Sequence, residues 1–126
     1  MTNYSNDYSP SAPVAKVTLR NSDSLESISN VSMLLDTGAD ITLLPMSFCR
    51  LINADISKTK YVHLEGFDGS LSLAYHIRLD LIFLKKVFRG DFLVYEQAEG
   101  IIGRDLLNEF VITLDGPSQT WEVIHS

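Results

Sequence analysis

The chain is poor in several residue types on which other protein classes depend. It has one cysteine, Cys49, in 126 residues, so an internal disulfide is excluded. Three scattered histidines, His63, His76 and His125, together with that cysteine do not make a zinc site, and no metal or organic cofactor is expected. Cys49 sits in the apolar stretch 48–52 and reads as a buried small hydrophobe rather than a nucleophile. No run reaches the ~18 apolar residues of a membrane-spanning helix. The polar N-terminus lacks the apolar segment of a secretory signal, so the expectation is a soluble cytoplasmic protein with no membrane partner. Basic residues are also scarce. Ten Lys and Arg face sixteen Asp and Glu, for a net charge of −6. The densest basic spots, Lys58-Thr59-Lys60 and Lys85-Lys86, are too small for a nucleic-acid face, and no nucleic-acid partner is expected.

What remains is an ordinary globular composition, 45% apolar and 21% charged, long enough for one core and too short for two lobes of usual size. Residues 1–13 are rich in Ser, Asn, Tyr and Pro without apolar period, which predicts a flexible N-terminal arm; residues 14–126 form the domain. From residue 14 the patterning is that of strands. Val14–Arg20 alternates, 28–35 climbs into an apolar run, and a second run at 41–44 leads into a possible helical turn at 45–51. The clearest signal is 71–83, where Leu71, Leu73, Tyr75, Ile77, Leu79, Leu81 and Phe83 recur at every second position, as in a long half-buried strand. It follows 61–65 and the turn Gly66-Phe67-Asp68-Gly69, a hairpin signal. Further strands are expected at 87–95 (a pair, or one strand bent at Gly90), 100–103, 110–114 and 121–124, with a short helix at 104–109. Many short strands, turn punctuation and little helix predict an all-β domain that closes into a barrel.

Two segments stand out chemically. In Met33-Leu34-Leu35-Asp36-Thr37-Gly38-Ala39-Asp40-Ile41 an acid lies between two apolar runs, beside a glycine that permits a tight turn. Apolar flanks place that turn inside the protein, where a carboxylate is costly unless paired, hydrogen-bonded or protonated, and such a cost points to a functional acid. The second segment, Ile101-Ile102-Gly103-Arg104-Asp105, is an apolar strand, a glycine and a helix start.

Together these segments resemble the retropepsin family, the single-domain aspartic proteases. Leu34 to Ala39 matches its apolar-apolar-Asp-Thr/Ser-Gly-Ala motif, Ile101 to Asp105 its apolar-apolar-Gly-Arg-Asn/Asp motif, and a flap hairpin falls between them at 61–83. The resemblance implies a closed acid-protease barrel with one short helix after Gly103. It implies Asp36 as the catalytic aspartate, Thr37 bonding across a dimer to its symmetry mate, and Gly38 offering its carbonyl to substrate. Ala39 and Asp40, with Asp40 paired to Arg104, would bind the peptide main chain. Gly66, Phe67, Asp68 and Gly69 would be the flap tip, and Phe67 and Ile102 pocket walls. The polar tip departs from the Gly- and Ile-rich tips of viral relatives, and the segment 110–126 is longer than their dimer-knitting tail.

Only one Asp-Thr-Gly is present, and peptide hydrolysis by carboxylates needs one ionised and one protonated. The expectation is therefore a C2 homodimer acting as an endopeptidase on extended peptides, with apolar preferences beside the cleaved bond. The alternative is a non-catalytic dimeric module that binds peptides or scaffolds with the same fold. Tyr8-Ser9-Pro10, in the expected arm, suggests a self-cleavage point.

Overall fold

The computed structural model describes residues 1–66 and 68–124, in which ten strands and two short helices follow one another. After the short β1 (Thr2–Asn3) come β2 (Val14–Arg20), β3 (Ser27–Leu35), β4 (Leu43–Pro45) and α1 (Met46–Leu51). Then come β5 (Ile56–Glu65), β6 (Leu71–Phe83), β7 (Lys86–Tyr95), β8 (Gly100–Ile102) and α2 (Arg104–Leu107), with β9 (Val111–Asp115) and β10 (Thr120–Ile124) last.

The main sheet runs β2-β3-β8-β4-β7-β6-β5. A further pairing of β2 with β6, from Thr18↔Ile82 to Arg20↔Asp80, closes six of these strands into a barrel and leaves β5 outside on β6. Alternation explains the closure. Val17 and Leu19 of β2, Val31 and Met33 of β3, and Leu79, Leu81 and Phe83 of β6 all turn inward and are essentially inaccessible, forming one core.

The strand β6 shows how tertiary context overrides an unbroken period. Its alternating apolar positions are fully buried only from Ile77 onward, with Tyr75 partly buried against the same core. Leu71 and Leu73 are 67% and 40% exposed, whereas Ala74, on the opposite face, is fully buried beside Leu43 and Leu93. The reason is geometric: the first half of β6 pairs with β5 as a hairpin that projects beyond the barrel, and there the covered side is the other one.

Two further differences from the sequence expectations, in β7 and in the N-terminal segment, have local causes. The strand β7 passes through Gly90 without a break, because every position from Lys86 to Tyr95 pairs with β6. The β6–β7 connection is a two-residue turn, with Leu84 and Lys85 both at positive φ (52° and 67°). The segment 1–13, expected as a loose arm, is bonded to the body. Here β1 pairs with β10, Tyr4 N–H donates to the Gln119 carbonyl, and Ser5 and Ala12 exchange backbone bonds of 2.7 and 3.1 Å that close the loop between them.

The C-terminal strand stays within the subunit. β1, β10 and β9 form a small antiparallel sheet, and Trp121 passes from it into the core. Its indole Nε1 donates to the Val14 carbonyl at 3.1 Å, and its ring lies 6.5 Å from that of Phe83. Among the described residues no helix is long and apolar enough to cross a membrane.

Candidate active site

The site is built where β8 slots between two strands that are consecutive in the chain. β3 pairs with β8 in parallel (Leu34↔Ile101, Leu35↔Ile102), and β4 pairs with it antiparallel (Leu43↔Ile101). The chain leaving β3 must therefore pass over the end of β8 to reach β4, and residues 36–42 make that crossing. Asp36 N–H donates to the Ile102 carbonyl at 3.0 Å, which fixes the first residue of the crossing to the strand beneath it. The crossing lies so close to Gly103 that a Cβ there would stand 2.7 Å from the Ile41 carbonyl carbon and oxygen. Only glycine fits.

The far end of the crossing is held from α2. Thr42, fully buried, donates its hydroxyl to Asp105 Oδ1 at 2.7 Å and its N–H to Oδ2 at 3.1 Å, while accepting from Gly103 N–H at 3.1 Å. Arg104 N–H donates to the Ala39 carbonyl at 2.9 Å, and the guanidinium donates to the Thr37 carbonyl at 2.7 Å. The expected Asp40–Arg104 pair is thus replaced. Among the described residues Arg104 braces the loop through Thr37, and the carboxylate clamp comes from Asp105, while Asp40 is exposed.

Asp36 emerges from these restraints half-buried, with Gly38 N–H donating to its Oδ1 at 2.9 Å. It lies at a cleft of about 610 Å³ that Gly38, Ala39 and Asp40 also line. The opposite side comes from the projecting hairpin, through Leu64, Glu65 and Gly66. The hairpin tip closes on itself: Gly66 N–H donates to the Ser70 carbonyl (2.8 Å), Gly69 N–H to that of Gly66 (3.0 Å), and Gly69 takes φ +81°. Asp68 is exposed, and hydrogen bonds from the Ser70 side chain and N–H (2.9 Å) hold its carboxyl below the ordinary range. Phe67 lies outside the described residues.

Strand parity corrects one expected wall. Ile102 points into the barrel core and is fully buried, so its neighbour Ile101 faces the cleft. Tyr95, at the end of β7, is a further wall the sequence reading passed over. Its ring lines the cleft, and its hydroxyl donates to the Glu99 carbonyl at 2.7 Å. Burial raises its phenol, with the Glu99 and Asp36 carboxylates adding to the shift. Thr42 was also missed as a site residue, and Asp105, though part of the second motif, was given no role, for their contact spans 63 positions. Cys49 lies on the buried face of α1, and burial pushes its thiol up to about 12, inert as a nucleophile. Among the described residues no group of three His, Cys, Asp or Glu side chains gathers as a metal would need.

Among solved structures, the chain resembles EIAV protease complexed with the inhibitor HBY-793. The TM-score is 0.61 at 19% identity, over 78% of this chain and 86% of that one, a likeness of fold. No curated protein matches the sequence. The family model of the retroviral aspartyl protease matches residues 9–115, which hold the crossing at Asp36, the projecting hairpin and the Gly103 turn. By that match the chain belongs to the retroviral aspartyl protease family, the retropepsins, and is an aspartic-type peptidase.

Proposed function

We propose that this chain is an endopeptidase that works as a C2 homodimer, each subunit supplying one Asp36 to a shared dyad. The observation that carries the reading is the position of that carboxylate. It is fastened at the floor of an open cleft, under a closable hairpin, with no second Asp-Thr-Gly in the chain to complete it. Two carboxylates brought together by a two-fold axis cannot both ionise, so one takes the proton of the attacking water and the other polarises the scissile carbonyl. This arrangement is general to aspartic proteases.

The remaining residues then have roles that follow from where they lie. Thr37, exposed at the loop tip, is the group placed to meet its symmetry mate across the axis. Gly38 orients Asp36 through its N–H and leaves its carbonyl for the substrate backbone. Ala39 and Asp40 offer main-chain groups along an extended peptide, which is gripped by backbone bonds with alternate side chains entering pockets. Arg104 acts on Thr37 rather than on substrate. Gly66, Asp68 and Gly69 form the lid, and the left-handed Gly69 lets the tip turn as it closes.

The test is peptide-library cleavage at mild acid, comparing the wild type with Asp36→Asn, with sedimentation run in parallel. Discrete cuts by the wild type, at least about a thousandfold weaker in the variant, are expected, together with a dimer. A dimer that binds peptides and cuts none would replace this reading with the non-catalytic module.

A further inference from the structure

Beyond Tyr95 the cleft continues into a second hollow of about 300 Å³, and Tyr95 and Ile101 line both. A peptide lying in the first can therefore place a side chain in the second. The lining is of three chemical kinds. Leu34 and Ile101, partners across β3 and β8, give an apolar floor. Tyr8 and Tyr95 give two aromatic walls, and Glu99 adds a carboxylate.

The backbone that carries this carboxylate is held, since the Tyr95 hydroxyl donates to the Glu99 carbonyl at 2.7 Å. Tyr8 lines the hollow with Glu99, and burial together with that carboxylate raises its phenol. Tyr8 itself is carried on the loop that the Ser5–Ala12 backbone bonds close. The charge around the peptide path is one-sided. Asp36, Asp40 and Glu65 line the main cleft and Glu99 the hollow, whereas neither has a Lys or Arg among its described lining residues.

We propose that the hollow is a subsite for a long cationic side chain, lysine or arginine, of the peptide substrate. Its aliphatic stem would pack on Leu34, Ile101 and the tyrosine rings, while its charged head meets Glu99. Such side chains combine a greasy stem with a charged tip, gain from aromatic faces, and make their strongest hydrogen bonds to carboxylates. The inference rests on reading the cleft as a peptide-hydrolysing site. It changes the specificity from apolar alone to apolar with one basic position.

The experiment uses peptide pools that differ at one scanned position, which carries either arginine or citrulline, of similar shape but uncharged. Cleavage is measured with the wild type, and retention of uncut peptide with Asp36→Asn. Arginine should be favoured about fivefold in both assays, the size of a solvent-reached ion pair, and less so at high salt. In Glu99→Gln the ratio should fall towards one, and Tyr8→Phe, which removes a hydroxyl from the lining that Glu99 shares, should lower it part of the way. Glu99 is exposed, so its substitution leaves the core untouched. Equal treatment of the two pools by the wild type, or an unchanged ratio in Glu99→Gln, would overturn the subsite. Cleavage without arginine preference removes the subsite and keeps the protease; arginine-selective retention without cleavage does the reverse. If the pools are neither cut nor retained, both ideas fall.

Discussion

Thr42 carries a methyl and a hydroxyl into a space with room for both and water for neither. Its hydroxyl serves Asp105 and Gly103 at once, so Thr42→Val keeps the shape, takes one hydrogen bond from the exposed Asp105 and strands the buried Gly103 N–H. The expected loss is about 2 kcal/mol in urea unfolding, with Thr42→Ser losing much less. Asp80 is a second buried polar group, inaccessible and held by Arg89 (2.8 and 3.1 Å), Arg20 (2.9 Å) and Ser22 (3.1 Å). The Arg89 hydrogen bonds, then those of Arg20 and Ser22, outweigh burial and hold its carboxyl far below the ordinary range. A depressed carboxylate stabilises fully above its unfolded value, near about 3.9, and stops doing so as pH falls through the folded one. Asp80→Asn should therefore cost about 2–3 kcal/mol at pH 5–7, less than a fully buried pair because both guanidiniums still meet water. The gap between wild type and variant should hold across the mild-acid range and narrow only below about pH 4, as unfolding series at several pH values would show. Asp36 could be read from its neighbours in the chain because its motif is local. Asp80 could not, since in an alternating strand it occupies an outward position, and what covers it comes from β2 and β7.

At the scale of elements, periodicity located the strands well. The bounds of β2 and β6 were legible to the residue, because apolar side chains alternate through each, although the covered face of β6 changes along its length. Pairing was not legible. That β8 divides β3 from β4, and so creates the crossing at the site, depends on contacts between segments some 60 residues apart. Ile101 and Ile102 illustrate the consequence, since two neighbouring isoleucines exchange roles with strand parity and nothing local distinguishes them. Gly103→Ala tests the crossing directly. The added Cβ meets backbone rather than a flexible tip, so a loss of about 2 kcal/mol and a displaced Asp36 are expected, read as lower stability and lower kcat. The β6–β7 turn offers the opposite sign. Lys85 holds φ 67° without the freedom of glycine, so Lys85→Gly should raise the Tm by roughly 3 °C, about 1 kcal/mol, in thermal unfolding.

At the scale of the molecule, charge sets the terms of association. Two chains of −6 sum to 2 × (−6) = −12, so the proposed dimer forms against a mild repulsion. Sedimentation should show more dimer as salt is raised and less on going from pH 5 to pH 8. The small sheet of β1, β10 and β9 bears on the same equilibrium from another side. Both terminal strands and Trp121 find their partners inside one subunit, so the barrel is sealed before any second copy arrives. Folding is then first order in protein, whereas catalysis by the proposed dimer would be second order. Over about a hundredfold dilution through the dissociation range of the proposed dimer, specific activity should fall away while circular dichroism at about 25 °C stays that of the folded subunit and the Tm drops only by what dimer linkage contributed, so concentration alone can silence the enzyme without unfolding it.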